Sequence, residues 1–328
     1  MAVTWLPGPV PTGRRERLDD APTGERARDF DVGSALSGFR HGPRDPTTQL
    51  TRVGRGATGA GRFVRATFTP DGPGTIEIAW TADRPIDATA WGPGRAWLLD
   101  RVEAMSGHDD PAAPELERCG HPVVATAARE HRTMRFGASH DLYHELLPNI
   151  IEQRITAREA VRQWRTLCLE LGDLAPGPVE GLRLPPAPHV LVHTPSWWFH
   201  PRGIERKRAQ TLIEVARHAS KMWAWAEAGP DVVAEKLRLI RGVGVWTVGS
   251  VLSPALGDAD AVPVGDYHIK NTVSWGLVGE PRGTDERMLQ LLQPFAGQRG
   301  RVIRLLGAAG FAAPKFGPRQ RILPMARW

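Results

Sequence analysis

Residues 237–277 hold the groups best suited to chemistry: Gly242-Val-Gly244 followed by Val-Trp246-Thr247, then Val264-Gly-Asp266-Tyr267-His-Ile-Lys270. Two glycines one residue apart at the start of a helix allow a tight turn. Its amides, with the helix N-terminus behind them, face outward and bind a phosphate without any side chain. A Gly-x-Gly also opens dinucleotide-binding loops, but here the preceding residues have helical period and no third glycine falls at the required spacing. An ordinary helix–helix turn is the remaining reading. Asp266, just before Tyr267-His-Ile-Lys270, is suited to capping a helix N-terminus. His189, His193 and His200 share no helix face and have no cysteine or clustered acid beside them, which argues against zinc.

A helix must lie on each side of the Gly-x-Gly to present it. Val233, Leu237 and Ile240 are spaced as one apolar face before it, and Val248, Val251 and Leu252 as another after it. Thr156-Ala-Arg-Glu159 is a capping box, followed by Val161, Trp164, Leu167, Cys168 and Leu171 up to Gly172. Leu212, Ile213, Val215, Ala216, Ala219, Met222 and Trp223 mark another helix. Thr284 caps one carrying Met288, Leu289 and Leu292, and Val302, Ile303 and Leu306 mark the last, ending near Gly310. Earlier in the chain, residues 62–69 and 75–80 alternate around a turn at Asp71-Gly-Pro-Gly74, which predicts a hairpin in a small antiparallel sheet. The expected fold class is α+β: a flexible arm over residues 1–28, a sheet domain over 29–108, and a mostly helical domain of two subdomains over 109–328. A Pro-rich connector near 173–188 is expected to cross between those subdomains.

The hairpin Gly242-Val-Gly-Val-Trp-Thr247 and the later Val264-Gly-Asp-Tyr-His-Ile-Lys270, with Asp266 standing 20 residues after Trp246, resemble the helix-hairpin-helix DNA glycosylases. Within them the resemblance is to the 3-methyladenine DNA glycosylase II (AlkA-like) branch. It extends to the layout of a sheet domain followed by two helical subdomains, and so covers most of the chain after residue 28. It implies a monomeric, cytoplasmic, bacterial-type enzyme that flips a damaged base out of double-stranded DNA and hydrolyses its N-glycosidic bond. Asp266 is implied as the catalytic carboxylate, acting on an oxocarbenium-like sugar or on the attacking water. One carboxylate suffices there, because an N-alkylated purine is cationic and already a good leaving group, whereas ordinary glycoside hydrolysis needs two.

Relatives that also cut the strand carry a lysine nucleophile where this chain has Trp246, and no lysine lies between Lys236 and Lys270, so the resemblance implies no lyase activity. Trp246 is implied as a wall of the base pocket, where its ring face attracts a cationic alkylpurine. Tyr267, Trp197 and Trp198 are further pocket candidates, the last two because they stand in a Pro-flanked loop over residues 194–203. Gly242, Gly244 and Thr247 are implied to grip the DNA backbone, and Arg154, within Glu152-Gln-Arg-Ile-Thr156, to wedge into the gap left by the flipped nucleotide. No cofactor is required, although a structural Na+ or K+ on the backbone carbonyls of Arg238, Ile240 and Val243 is implied. Arg241 stands where relatives carry proline, and Ser250 where the better-known branch has an aromatic, which leaves lesion range open to hypoxanthine or a bulky alkyl adduct. A non-catalytic helix-hairpin-helix module, with Asp266 only a cap, is the alternative of a different class.

The 328 residues, 41% hydrophobic and 24% charged, suit a soluble globular protein of two or three domains. No apolar run is long enough to cross a bilayer, and Pro7, Pro9 and Pro11 break any signal-peptide pattern. The net charge of +6 is unevenly distributed: residues 1–140 balance, and the whole excess falls from residue 141 onward, 24 basic against 18 acidic. This puts polyanion binding in the helical part. Cys119 and Cys168 are the only cysteines, too few for a disulfide framework or for the four-cysteine iron–sulfur cluster of another branch of the superfamily.

Overall fold

The alternating stretches fold into one antiparallel sheet, seen in a computed structural model that describes residues 14–17, 30–54, 56–82 and 84–314. Its strands are β1 (Arg14–Arg17), β2 (Thr48–Val53), β3 (Ala60–Thr69), β4 (Gly72–Thr81) and β5 (Arg84–Trp91), in the order β1-β5-β4-β3-β2. β1 corrects part of the expected arm. It pairs Arg14 with Ala90 through to Arg17 with Asp87, covering an edge of β5 that would otherwise leave its amides and carbonyls unpaired. Residues 1–13 and 18–28 of the expected arm lie outside the described residues. The β3–β4 hairpin turns one residue earlier than expected, at Pro70-Asp71. Thr69 pairs with Gly72, and its hydroxyl donates to the Gly72 carbonyl (2.8 Å) and accepts from the Asp71 amide (3.2 Å).

Both faces of the sheet are covered. Phe63, Ile76, Ile78, Ala88 and Ala90 pack with α1 (Val32–Ser37), α2 (Arg95–Leu99) and α3 (Val102–Ser106). Opposite, Val64 and Ala66 pack against Leu182 and Leu184. The Pro-rich stretch 173–188 therefore clamps the sheet. It does not pass between helical cores, because the helices before and after it share one core.

The remaining helices are α4 (Pro122–Glu130), α5 (Leu142–Glu152), α6 (Ala157–Leu171), α7 (Pro188–His193), α8 (Ser196–Phe199), α9 (Arg206–Glu227), α10 (Pro230–Arg238), α11 (Val245–Leu256), α12 (Ile269–Val278), α13 (Asp285–Leu292) and α14 (Arg299–Ala308). α5 to α11 enclose one core, which includes Trp164, Leu212 and Val251. α4 joins α12, α13 and α14 in a second, around Val124, Val273, Met288 and Val302. The second helical unit is thus discontinuous in sequence, and the chain enters and leaves the first unit near residues 138 and 262. Half of the expected capping box is present: the Thr156 hydroxyl accepts from the Glu159 amide (3.4 Å) and starts the helix that buries Trp164, Leu167 and Cys168, while the Glu159 carboxylate accepts from the Gln163 amide group (3.2 Å). Burying each such large apolar side chain contributes about 1.5–3 kcal/mol. No helix among the described residues is long and apolar enough to cross a membrane.

A buried polar network seats the sheet on the start of α5. Arg65 donates to Glu145 (2.6 Å) and to the Phe39 carbonyl (3.0 Å); His144 lies between the hydroxyls of Thr47 (3.1 Å) and Thr67 (3.0 Å), and Thr67 donates to Asp141. Burial, only partly offset by Arg65 and the hydrogen bonds, raises the Asp141 carboxyl to about 6. The Trp164 indole donates to Asp45 (3.1 Å), which ties α6 to the same segment. With its first turn fixed in this way, α5 delivers its last residues, Glu152 and then Gln153 and Arg154, to a defined place.

Candidate active site

α10, residues 239–244 and α11 form the hairpin. Gly242 adopts φ +94°, and a Cβ on it would lie 1.9 Å from the Thr211 hydroxyl of α9, so the turn requires glycine there. Gly244 differs. Its backbone is extended, at φ −100° and ψ −179°, and a Cβ on it would meet nothing within 4 Å. Nothing among the described residues requires glycine at 244, while a ligand backbone approaching the start of α11 would. Around it Arg241 is exposed, as are Leu239 and Val245.

Residues 262–268 lie across α11 because Gly249 has no side chain: a Cβ there would stand 2.3 Å from the Val262 carbonyl oxygen. This approach, invisible to spacing arguments, brings Asp266 to Trp246. The Trp246 indole Nε1 donates to Asp266 Oδ2 at 3.2 Å, while Oδ1 accepts from the amides of His268 (2.7 Å) and Ile269 (2.9 Å). Asp266 therefore caps α12 through one oxygen and holds the Trp246 indole with the other. Its loop is anchored further by Asp285, which accepts from the Gly265 amide (3.1 Å) and pairs with Lys270 (3.6 Å). Ser250 turns back onto the Trp246 carbonyl (2.8 Å), as serine in a helix interior often does.

The wedge candidate sits in the turn between α5 and α6. Arg154 is exposed, with φ +61°, a left-handed backbone that costs a non-glycine residue about 1 kcal/mol and is found preferentially at functional sites. Its neighbour Gln153, to which no role was assigned from sequence, donates to the Gly242 carbonyl (3.1 Å) and to the Thr247 hydroxyl (2.9 Å). That contact corrects the expectation for Thr247. The side chain is 1% exposed and faces Gln153, so its hydroxyl is not an outward DNA ligand but part of the joint between wedge turn and hairpin. At the end of α5 the half-buried Glu152 has its carboxyl raised by burial, with the His41 charge lowering it and the Asp266 charge raising it.

Among the described residues no ring contact or hydrogen bond joins the other candidate aromatics to Trp246 or to the Asp266 carboxylate. Trp198 packs edge-on against Phe199 and under the Arg202 guanidinium, which donates to Glu170 in the last turn of α6 (2.6 Å); Trp197 is 73% exposed. None of these contacts reaches Trp246 or Asp266. Tyr267 adjoins Asp266 in sequence, but its ring is 77% exposed and rests edge-on against His268. Among the described residues one group could offer three metal ligands, Glu103 of α3 with His108 and Asp109 just after it.

No protein-family model matches the chain, and no curated protein matches it in sequence. Solved structures do match. The 3-methyladenine DNA glycosylase of Archaeoglobus fulgidus superposes with a TM-score of 0.69 at 17% identity, over 89% of this chain and 96% of that one. The 8-oxoguanine glycosylase/lyase of Clostridium acetobutylicum, in complex with DNA, gives 0.60 at 14% identity, over 85% and 91%. The 3-methyladenine DNA glycosylase of Schizosaccharomyces pombe, in complex with abasic DNA, gives 0.50 at 18% identity, over 61% and 97%. Sheet, helical units and hairpin together, the chain has the fold of the helix-hairpin-helix DNA glycosylases.

Proposed function

We propose that the chain is a monofunctional DNA glycosylase of the 3-methyladenine type, hydrolysing the N-glycosidic bond of alkylated purines flipped from duplex DNA. The observation that carries this reading is the divided role of Asp266. A carboxylate that only capped α12 would account for Oδ1; Oδ2 instead meets the indole of Trp246, beside the hairpin and the wedge turn. An ionised carboxylate there stabilises positive charge developing on the sugar and orients the water that adds to C1′, while the Trp246 ring offers its face to a cationic base. The outward amides of Gly244 and the start of α11 suit a DNA phosphate, and Arg154 suits the gap in the stack.

Absence of lyase chemistry is supported by the lysines. Trp246 occupies the hairpin position, and the nearest lysines in sequence, Lys236 and Lys270, pair with Glu235 (3.2 Å) and Asp285 (3.6 Å). The backbone also suits a monovalent cation. Among the described residues no amide donates to the carbonyls of Arg238 and Val243, and that of Ile240 accepts only from Val243 (3.0 Å). Such an ion, when bound, would supply positive charge facing a phosphate. We take the enzyme to act as a monomer in the cytoplasm. The test is incubation with duplex DNA carrying 3-methyladenine or 7-methylguanine, with and without borohydride. Free base and an intact abasic strand support the reading; strand cleavage with a borohydride-trapped adduct contradicts the monofunctional assignment, and DNA binding without base release contradicts the enzyme.

A further inference from the structure

α6 carries a row of cations that the proposed chemistry leaves unused. Arg158, Arg162 and Arg165 are spaced four and three residues apart, so they share one helix face, opposite the buried Ala160, Gln163 and Leu167. All three are exposed. Among the described residues the side chains of Arg158 and Arg165 have no hydrogen bond or ion pair, and Arg162 has only a 3.9 Å approach to Glu159. Surface arginines elsewhere are held by carboxylates: Arg217 by Glu214 (2.7 Å), Arg287 by Glu280 (2.7 Å) and Arg299 by Asp260 (2.5 Å). The acids of α6 do not neutralise the row, because Glu159 is buried and Glu170 accepts from Arg202 (2.6 Å). Arg158 stands in the first turn of α6, where the helix macrodipole disfavours a cation and favours a phosphate beside it.

The row is held in a fixed relation to the hairpin. Arg208 of α9 donates to the Ile151 carbonyl near the end of α5 (2.6 Å) and to Gln163 of α6 (2.8 Å), which clamps the two helices across the wedge turn. Within that turn Gln153 donates to the Gly242 carbonyl (3.1 Å) and the Thr247 hydroxyl (2.9 Å), so hairpin, Arg154 and α6 are joined by direct bonds. Residues 42–45 pack against α6 as well: a Cβ on Gly42 would stand 2.6 Å from Val161, and Asp45 accepts from the Trp164 indole (3.1 Å). Arg44, between those two contacts, is exposed and has no side-chain partner among the described residues. From Arg158 to Arg165 the helix rises about 10 Å, about the rise of three nucleotides along one strand. We propose that this face of α6 is a second DNA-binding surface, with the guanidiniums of Arg158, Arg162 and Arg165 on phosphates of the duplex to one side of the flipped nucleotide. This rests on the reading above that the hairpin and the wedge turn grip DNA. A guanidinium donates two parallel hydrogen bonds to a phosphate, and contacts confined to phosphates add affinity without sequence preference.

The test is the salt dependence of binding to a duplex carrying a stable abasic-site analogue, read by fluorescence anisotropy for wild type and for the triple variant Arg158→Gln, Arg162→Gln, Arg165→Gln. Each phosphate contact contributes about 0.9 to the slope of log affinity against log salt, so the triple variant should be shallower by about 2.7 and each single variant by about 0.9. Between about 50 and 200 mM salt the wild type should therefore lose about 40-fold more affinity than the triple variant. Melting temperatures should be equal, because the three side chains hold nothing in the fold. Cutting the duplex to a few base pairs on one flank of the lesion should weaken wild type far more than the triple variant, whereas cutting the other flank should weaken both alike. An unchanged slope in the triple variant would overturn the proposal. So would a shallower slope with the same response to both flanks, which would mean general attraction by net charge. A wild type that does not bind the duplex would overturn the reading on which the proposal rests, and the proposal with it.

Discussion

Replacing Asp266 with asparagine removes a charge and almost nothing else. Asparagine keeps an oxygen for the amides of His268 and Ile269, so the cap on α12 persists. Its amide would then face the Trp246 indole N–H where a carboxylate oxygen now accepts at 3.2 Å, a mismatch worth about 1 kcal/mol. The chemical loss is larger. A carboxylate about 4 Å from a developing sugar cation contributes about 4 kcal/mol at an effective dielectric near 20, equivalent to about a thousandfold in rate. Single-turnover release of 7-methylguanine should therefore fall about a thousandfold, while thermal stability changes little and binding to abasic-site DNA is retained. Asp266→Ala should lose a further ~1 kcal/mol of stability, because the cap goes with the charge. Excision by Asp266→Asn within about tenfold of wild type would refute the assignment of Oδ2 to the chemistry.

The two hairpin glycines should behave differently. Gly242→Ala forces a Cβ against Thr211 at φ +94° and should destabilise the fold by about 2 kcal/mol or more, whereas Gly244→Ala should leave the melting temperature unchanged and weaken DNA binding, readable by fluorescence anisotropy. Gln153→Ala removes two hydrogen bonds between wedge turn and hairpin and should lower stability by about 1–2 kcal/mol, with amide exchange accelerated at residues 242–247. For Asp141, the folded value of about 6 lies above the ordinary 3.8, so the folded state holds a proton that the unfolded chain has released, and this contribution to stability is lost as pH rises through 6. Denaturant titrations of Asp141→Asn and wild type should accordingly diverge in the variant's favour by about 1 kcal/mol between pH 5 and 7; a pH-independent difference would contradict the burial argument.

What could be read from sequence was local. The Thr156 and Thr284 caps involve residues three apart, and each is present with its hydroxyl on the expected amide. Asp266 was legible as a cap, and its loop carries both amides that the cap satisfies. What was hidden depends on contacts between distant residues. Gln153 lies 89 and 94 residues from its partners Gly242 and Thr247, and no periodicity ties them. Gly249 left a trace, a glycine inside a helical pattern, which signals a close backbone approach without saying whose. Thr247 was misread because a hydroxyl in the first turn of a helix can face either ligand or protein, and only Gln153 decides it. Residues 173–188 were misread because a Pro-rich connector has the same composition whether it crosses between cores or lies on a sheet.

On the function proposed above, Asp266, Trp246 and the hairpin together release a damaged base from DNA. The most direct measurement is chromatographic detection of free 3-methyladenine after incubating the purified chain with methylated duplex DNA. Release of the base, leaving an uncleaved abasic strand, is the predicted result; tight binding to the same DNA with no base released would contradict it and leave a DNA-binding module in which Asp266 only caps α12.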